Sequence, residues 1–398
     1  MSSTTKTAPA AASAGSRTHS TAITVAFCMV GSVVVGQLYV TIPLIPRLAS
    51  AWEVSAGSAA WATSAFAIAY AFGSLISGPL SQRHGRRAVM VGSIAAMAVV
   101  TSVVPLAADL TAGSLLRAAQ GLLAGAFVPM AYAHLNATVP ATRLPTALTM
   151  ISASMGGTVV LGQVEAQLID SVLGWRAVFW GTAPLLVVAA VVVRRVMGRP
   201  GPAPAGPSPY SHAFLLRTAP LYLITLLVAG SITAVYTGVQ LYGPAALVGD
   251  NEAMLVLRIS ALPALVGAVL LARTLTPLPI GVRLFGAFAL STVAMTVTAF
   301  TADSPLGIGV SLFLFMLAMS TAGPALVQSV GAGAGAAPTT AIAVYGFVLN
   351  AGGGAGARLP AALPGLTGLA ALLAAILATA SAYLLRAMLR QSSRDSAA

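Results

Sequence analysis

A dozen separate apolar runs, each about twenty residues long and so long enough to cross a bilayer, leave this chain few ways to fold. They fall at 21–45, 59–80, 89–107, 112–133, 145–169, 177–196, 219–241, 254–274, 281–299, 306–330, 340–361 and 364–385. In hydrocarbon each backbone N–H and C=O must be satisfied within the chain, so every run is expected to be a helix. A string of soluble domains is excluded by charge. Only 7% of the 398 residues are charged, against roughly 25% in a soluble domain. The expected fold is an all-α membrane protein with twelve transmembrane helices, multi-pass in the plasma membrane, with the lipid bilayer as its surroundings.

The first run is too long for the ~7–15-residue apolar core of a signal peptide. It reads as a retained helix behind a disordered tail, 1–20. Pro200-Gly201-Pro202-Ala203-Pro204 marks a linker at 197–213 between two six-helix bundles, 21–196 and 214–388, with a second tail at 389–398. Charges sort by loop. One side holds Arg83, Arg86, Arg87, Arg143, Arg194, Arg195, Arg199, Arg217, Arg273 and Arg283, and the tails add further basic residues. The other holds Glu53, Asp109, Asp170, Asp250, Glu252 and Asp303, with only Arg47 and Arg176. Basic loops stay in the cytoplasm, so both termini and the linker are expected there. The net charge of +12 is thereby explained by membrane orientation, and no nucleic-acid partner is expected.

Several chemistries lack their residues. Cys28 is the single cysteine, and His19, His84, His134 and His212 have no ligand spacing, so neither a disulfide framework nor a metal site is expected. No H-E-x-x-H and no P-loop occurs, which argues against an enzyme and against ATP-driven pumping; no cofactor is expected. An internal echo is present instead. Gly36-Gln37-Leu38-Tyr39 is matched by Val239-Gln240-Leu241-Tyr242, and Ser154-Met155-Gly156-Gly157 by Asn350-Ala351-Gly352-Gly353, as duplication of a six-helix unit would produce.

Between the second and third runs stands Gly78-Pro79-Leu80-Ser81-Gln82-Arg83-His84-Gly85-Arg86-Arg87. It resembles the cytoplasmic signature of the major facilitator superfamily, G-x-L-x-D-R-x-G-R-R. The resemblance makes Gly78, Leu80, Gln82, Arg83, Gly85, Arg86 and Arg87 a cytoplasmic gating loop. Gly78 would allow close helix approach and Gly85 a tight turn. Gln82 replaces the family's Asp and removes a charge that helps to latch the gate. Arg117-Ala118-Ala119-Gln120-Gly121 looks like the family's R-x-x-Q-G signature, and Gly174-Trp175-Arg176 with Phe179 is similar to its drug:proton antiporter branch. The implied fold is two pseudo-symmetric six-helix bundles around a central cavity.

Ionisable groups inside a span cost about 2.5–3.5 kcal/mol on insertion scales and point to function. Glu165 is the one acid read within a span, and Arg117, Arg258 and Arg358 are the cations. Glu165 is the proton-coupling candidate, with Arg117 placed to pair with it and tune it. Gln37, Tyr39, Gln120, Tyr236, Gln240, Tyr242, Arg258, Asn350 and Arg358 are the substrate-cavity candidates, polar groups in an apolar pocket. Three arginines against one carboxylate favour neutral or anionic small molecules over lipophilic cations. The function expected is a monomeric secondary transporter that exports a drug or metabolite in exchange for protons. An uptake permease is the alternative, and a membrane sensor or enzyme the third reading.

Overall fold

The computed structural model describes residues 9–140, 142–198, 212–275, 277–333 and 338–395. All regular structure among them is helical. The first half comprises α1 (Pro9–Gly36) continued by α2 (Thr41–Ala51), and α3 (Ala56–Ala59) continued by α4 (Trp61–His84). It goes on with α5 (Arg86–Val103), α6 (Leu110–Ala124) with α7 (Phe127–Thr138), α8 (Leu144–Leu173) and α9 (Trp175–Val196). The second half has α10 (His212–Tyr242), the short α11 (Ala245–Val248), and α12 (Asn251–Ile259) with α13 (Leu262–Leu275). It ends with α14 (Ile280–Phe300), α15 (Pro305–Gly333), α16 (Pro338–Arg358) and α17 (Gly365–Asp395).

Eleven helices among the described residues are long and apolar enough to cross a membrane. The twelfth expected segment, α16, has 21 residues, about 31 Å at the usual rise per residue. Its glycines, Thr339, Thr340 and Asn350 dilute its hydropathy. It packs mainly on α10 and α4. The N-terminal tail expected as disordered is helical from Pro9, and α17 runs through most of the C-terminal tail. The expected linker lies mostly outside the described residues.

Outward-facing side chains are apolar, Val99, Leu115, Phe300 and Leu306 among them, as suits a surface solvated by lipid. One core cluster fills the first half, from Phe27 and Val34 to Phe66, Phe127 and Leu186. A second, with Phe288, Phe315, Met316 and Leu377, fills the other half and reaches Ile42 and Val160 of the first.

Within each half the helices cross at glycines that admit no side chain. A Cβ on Gly121 would lie 2.0 Å from the Phe66 carbonyl oxygen, and one on Gly125 2.3 Å from that of Tyr70, which locks α6 and α7 onto α4. A Cβ on Gly162 would meet Gly36 O at 2.9 Å, and one on Gly356 would meet Gly230 O at 2.0 Å. Gly230 and Gly356 each follow their first-half counterparts by 194 positions. Gly113 and Gly307, both wedged against a side chain, share that offset. The duplication is therefore written in the crossing glycines. Gln37 and Gln240, paired by the sequence echo, stand nine positions out of this register.

Gly162, Gly352 and Gly356 seal their own halves against backbone. Contacts between the halves reach side chains at Gly346 on Ser74 and at Phe72 edge-on to Phe347, but Gly354 is tight: a Cβ there would lie 2.8 Å from Ile68 Cγ1 and 3.3 Å from the backbone of Ile68 and Ser64.

Candidate functional site

Two breaks in helices create the chain's main polar clusters. After Gly36 the chain turns through 37–40 before α2 begins, so carbonyls near the end of α1 lose their helical donors. Arg117, fully buried on α6, fills one such vacancy: its Nη2 donates to Gln37 O at 2.5 Å. Its Nη1 donates to Gln120 Oε1 at 2.7 Å, and Gln120 Nε2 donates to Thr101 Oγ1 at 2.6 Å. The guanidinium lies over the Phe66 ring, 4.4 Å from its centroid. Hydrogen bonds to a charged group contribute about 1.5–3 kcal/mol each, and a desolvated cation over a ring about 2. Together they offset a buried charge that has no carboxylate partner among the described residues. Every partner belongs to the first half.

The second break separates α12 from α13 at Ser260-Ala261, and Arg258 stands in the last turn of α12, where a cation meets the negative end of the helix dipole. Arg258 is 3% exposed. Its Nη1 donates to Gln167, its Nη2 to Gln240, and its Nε to Gln163 Oε1 at 3.4 Å. Gln163 and Gln167 lie one turn apart on α8, in the first half, whereas Gln240 is on α10, in the second. Gln167 Nε2 also donates to Asn251 O at 2.5 Å, again across the halves. Tyr236 packs within interaction range of Arg258 and Tyr39, and its buried hydroxyl has no hydrogen-bond partner among the described residues. Arg358, at the end of α16, makes a third cross-half contact. Its Nη1 donates to Gly57 O at 2.5 Å and its guanidinium covers the Trp61 ring at 4.6 Å.

The remaining candidates disperse. Glu165 is not beside Arg117. It is exposed on α8, in a stripe with Leu161 and Leu168, and has no hydrogen-bond or ion-pair partner among the described residues. At 100° per residue the two positions separating it from Gln163 and from Gln167 turn it away from the Arg258 cluster. Gln37 Nε2 donates to Thr182 Oγ1 at 3.5 Å, Tyr39 packs against both half cores, and Tyr242 is exposed at the end of α10. Asn350 donates to Gly346 O on its own helix.

In the basic loop, Gly85 has φ +82, a conformation that side chains disfavour, and forms the hinge between α4 and α5. Arg86 Nη1 donates to Ala133 O at 3.2 Å and Arg87 Nη2 to Arg194 O at 2.6 Å, which ties the loop to α7 and to the end of α9. Gln82 and Arg83 are exposed. Gly78 does not sit at a close approach: a Cβ there would meet nothing within 4 Å. That task falls to Gly73, where a Cβ would lie 2.1 Å from Leu122 O. A cavity of about 470 Å³ opens nearby among Gly73, Ile76, Leu80, Val89 and Leu122, away from the arginine clusters.

Sequence reasoning passed over Gln163, Gln167, Phe66 and Thr101. The two glutamines did leave a signal, polar residues at i and i+4 in an apolar helix, but Glu165 between them drew the attention.

Comparison with known proteins places this architecture. The sequence profile of the Major Facilitator Superfamily matches residues 26–357. The chain is 28% identical to a chloramphenicol resistance protein of Streptomyces lividans, over 87% of this chain and 88% of that one. It is 26% identical to the uncharacterized MFS-type transporter YceJ of Bacillus subtilis, over 46% of this chain and 48% of that protein. It is 27% identical to a tetracenomycin C resistance and export protein of Streptomyces glaucescens, over 37% of this chain and 27% of that one. Membrane helices paired by a repeated glycine register, the basic loop at the α4–α5 hinge, and the profile across most of the length lead to one assignment: the chain belongs to the major facilitator superfamily of transporters, and some of its relatives are named for drug resistance and export.

Proposed function

We propose that this chain exports a small organic molecule, neutral or anionic, in exchange for protons, by alternating access of its two halves. In this reading α16 is the twelfth span, and the termini and the linker face the cytoplasm, as the basic loops require. The halves are 21–196 and 214–388. One observation carries the reading. Backbone meets backbone at several glycines inside each half, whereas the halves meet each other mainly through side chains and a few hydrogen bonds from Arg258, Arg358 and Gln167, with Gly354 against α4 the one close approach to backbone among the described residues. Such an interface can part while each bundle stays rigid.

Outward direction is supported by the resistance and export named for the relatives. The basic loop gates the cytoplasmic side, with Gln82 in place of the usual charge. Glu165 carries the proton: it is the acid set deepest in a membrane helix, and no cation neutralises it among the described residues. Arg117 is assigned to holding α1, α5 and α6 together, and acts on coupling only through that frame.

The test is flux in proteoliposomes under an imposed pH gradient, with chloramphenicol first and then matched neutral, anionic and cationic compounds. Gradient-driven movement of at least one neutral or anionic compound is expected, with Glu165→Gln abolishing the dependence on the gradient. Absence of gradient-driven flux for all of them would overturn the reading, and wild-type flux in Glu165→Gln would remove that residue from coupling.

A further inference from the structure

The geometry points to Arg258 as the recognition site for a carboxylate on the transported molecule, which displaces the glutamine oxygens now holding the guanidinium. This rests on the transporter reading above. Arg258 is buried at the meeting of the two halves, and its three acceptors are neutral amide oxygens from Gln163, Gln167 and Gln240. No carboxylate contacts it among the described residues. A carboxylate fits the planar fork of a guanidinium in two parallel hydrogen bonds and brings the missing charge, so it is a stronger ligand than any of the three amides.

The displaced groups are not left stranded. Glutamine side chains rotate to other donors, and the buried Tyr236 hydroxyl stands ready beside Arg258 with its own hydrogen bond unmade. Tyr236 and Tyr39 add ring faces on which an aromatic acid can lie. Because the exchanged bonds join α12 to α8 and to α10, occupancy by an anion loosens the contact between the halves at the same point. Arg117 shares the burial and a glutamine acceptor but not the setting. Its acceptors include a backbone carbonyl, its face is covered by Phe66, and all its partners move together.

The probe pair is 2-naphthoate and 2-naphthamide, alike in shape and different in charge, with binding measured to the chain in nanodiscs and to empty nanodiscs. Saturable naphthoate binding is expected, at least tenfold tighter than naphthamide. Arg258→Gln should erase that preference and Arg258→Lys keep part of it. Gln167→Glu leaves the arginine in place and gives it an internal carboxylate, at the loss of the Nε2 bond to Asn251 O, so it should weaken naphthoate at least tenfold while a cooperative thermal transition shows that the chain stays folded. The proposal is overturned if naphthoate does not bind saturably, if the wild-type chain shows no preference for charge, or if the preference survives either Arg258→Gln or Gln167→Glu. Its failure is separable from that of the transport reading. Gradient-driven flux without charge preference sinks this site alone, and charge-selective binding without flux sinks export alone.

Discussion

Arg117 and Arg258 are both buried cations in a membrane helix, both held by glutamine oxygens, yet their surroundings assign them different work. Arg117 is enclosed by α1, α4, α5 and α6, all in one half, and its bonds are made to groups that the fold has already fixed. Arg258 is held by side chains from two bodies that alternating access must separate. The lesson is that burial alone does not mark a functional charge. What matters is whether its partners can leave.

The sharpest way to break this contrast is to remove each charge. Arg117→Leu leaves the Gln37 carbonyl and Gln120 Oε1 buried without this donor and is expected to cost about 1–3 kcal/mol for each group left unsatisfied. Folded yield and melting temperature in detergent measure it. Arg258→Leu should cost less than half as much and show instead in flux. Equal destabilisation by the two would end the distinction.

A smaller effect tests the glycine seams. Gly121→Ala and Gly356→Ala each place a methyl group 2.0 Å from a backbone oxygen, so losses near the overpacking range of about 1–3 kcal/mol are expected. Gly346→Ala, whose Cβ would stand 3.8 Å from Ser74 across the halves, should melt at or slightly above the wild type, as a helical glycine replaced without a clash. A Gly346→Ala variant as unstable as Gly121→Ala would mean that the halves are welded, not apposed.

The basic loop supplies the last pair. Gly85→Ala must adopt φ +82, at about 1–3 kcal/mol of strain, and the melting midpoint should fall accordingly. Gly78→Ala meets open space and replaces a helical glycine, so the midpoint should rise by up to about 0.5–1 kcal/mol equivalent. A fall there instead would restore Gly78 as a close-approach residue.

Much of the fold was legible without coordinates. Hydropathy is a sum over local residues, so the expected apolar runs coincide closely with the helices, and the basic hinge at Gly85 and the arginine at Arg117 announced themselves by residue type and spacing. The site was less legible. Glu165 and Arg117 were matched because each lies toward the same end of its helix, but depth in the membrane says nothing about rotation about the helix axis. One position is worth 100°, and so Gln163 and Gln167 face Arg258 while Glu165 does not. The sequence echo likewise found Gln37 and Gln240, whereas the register that packing obeys runs through Gly36, Gly162, Gly230 and Gly356.

What the sequence by itself determined is the solvent, the helical class and the inventory of polar groups, because lipid admits only closed hydrogen bonding and tolerates few charges. Tertiary structure alone decided which of those groups meet. That choice depends on how helices from distant parts of the chain are turned and pressed together, and here the pressing is done by glycines such as Gly356 and Gly354, whose partners Gly230 and Ile68 lie 126 positions away within a half and 286 across the halves.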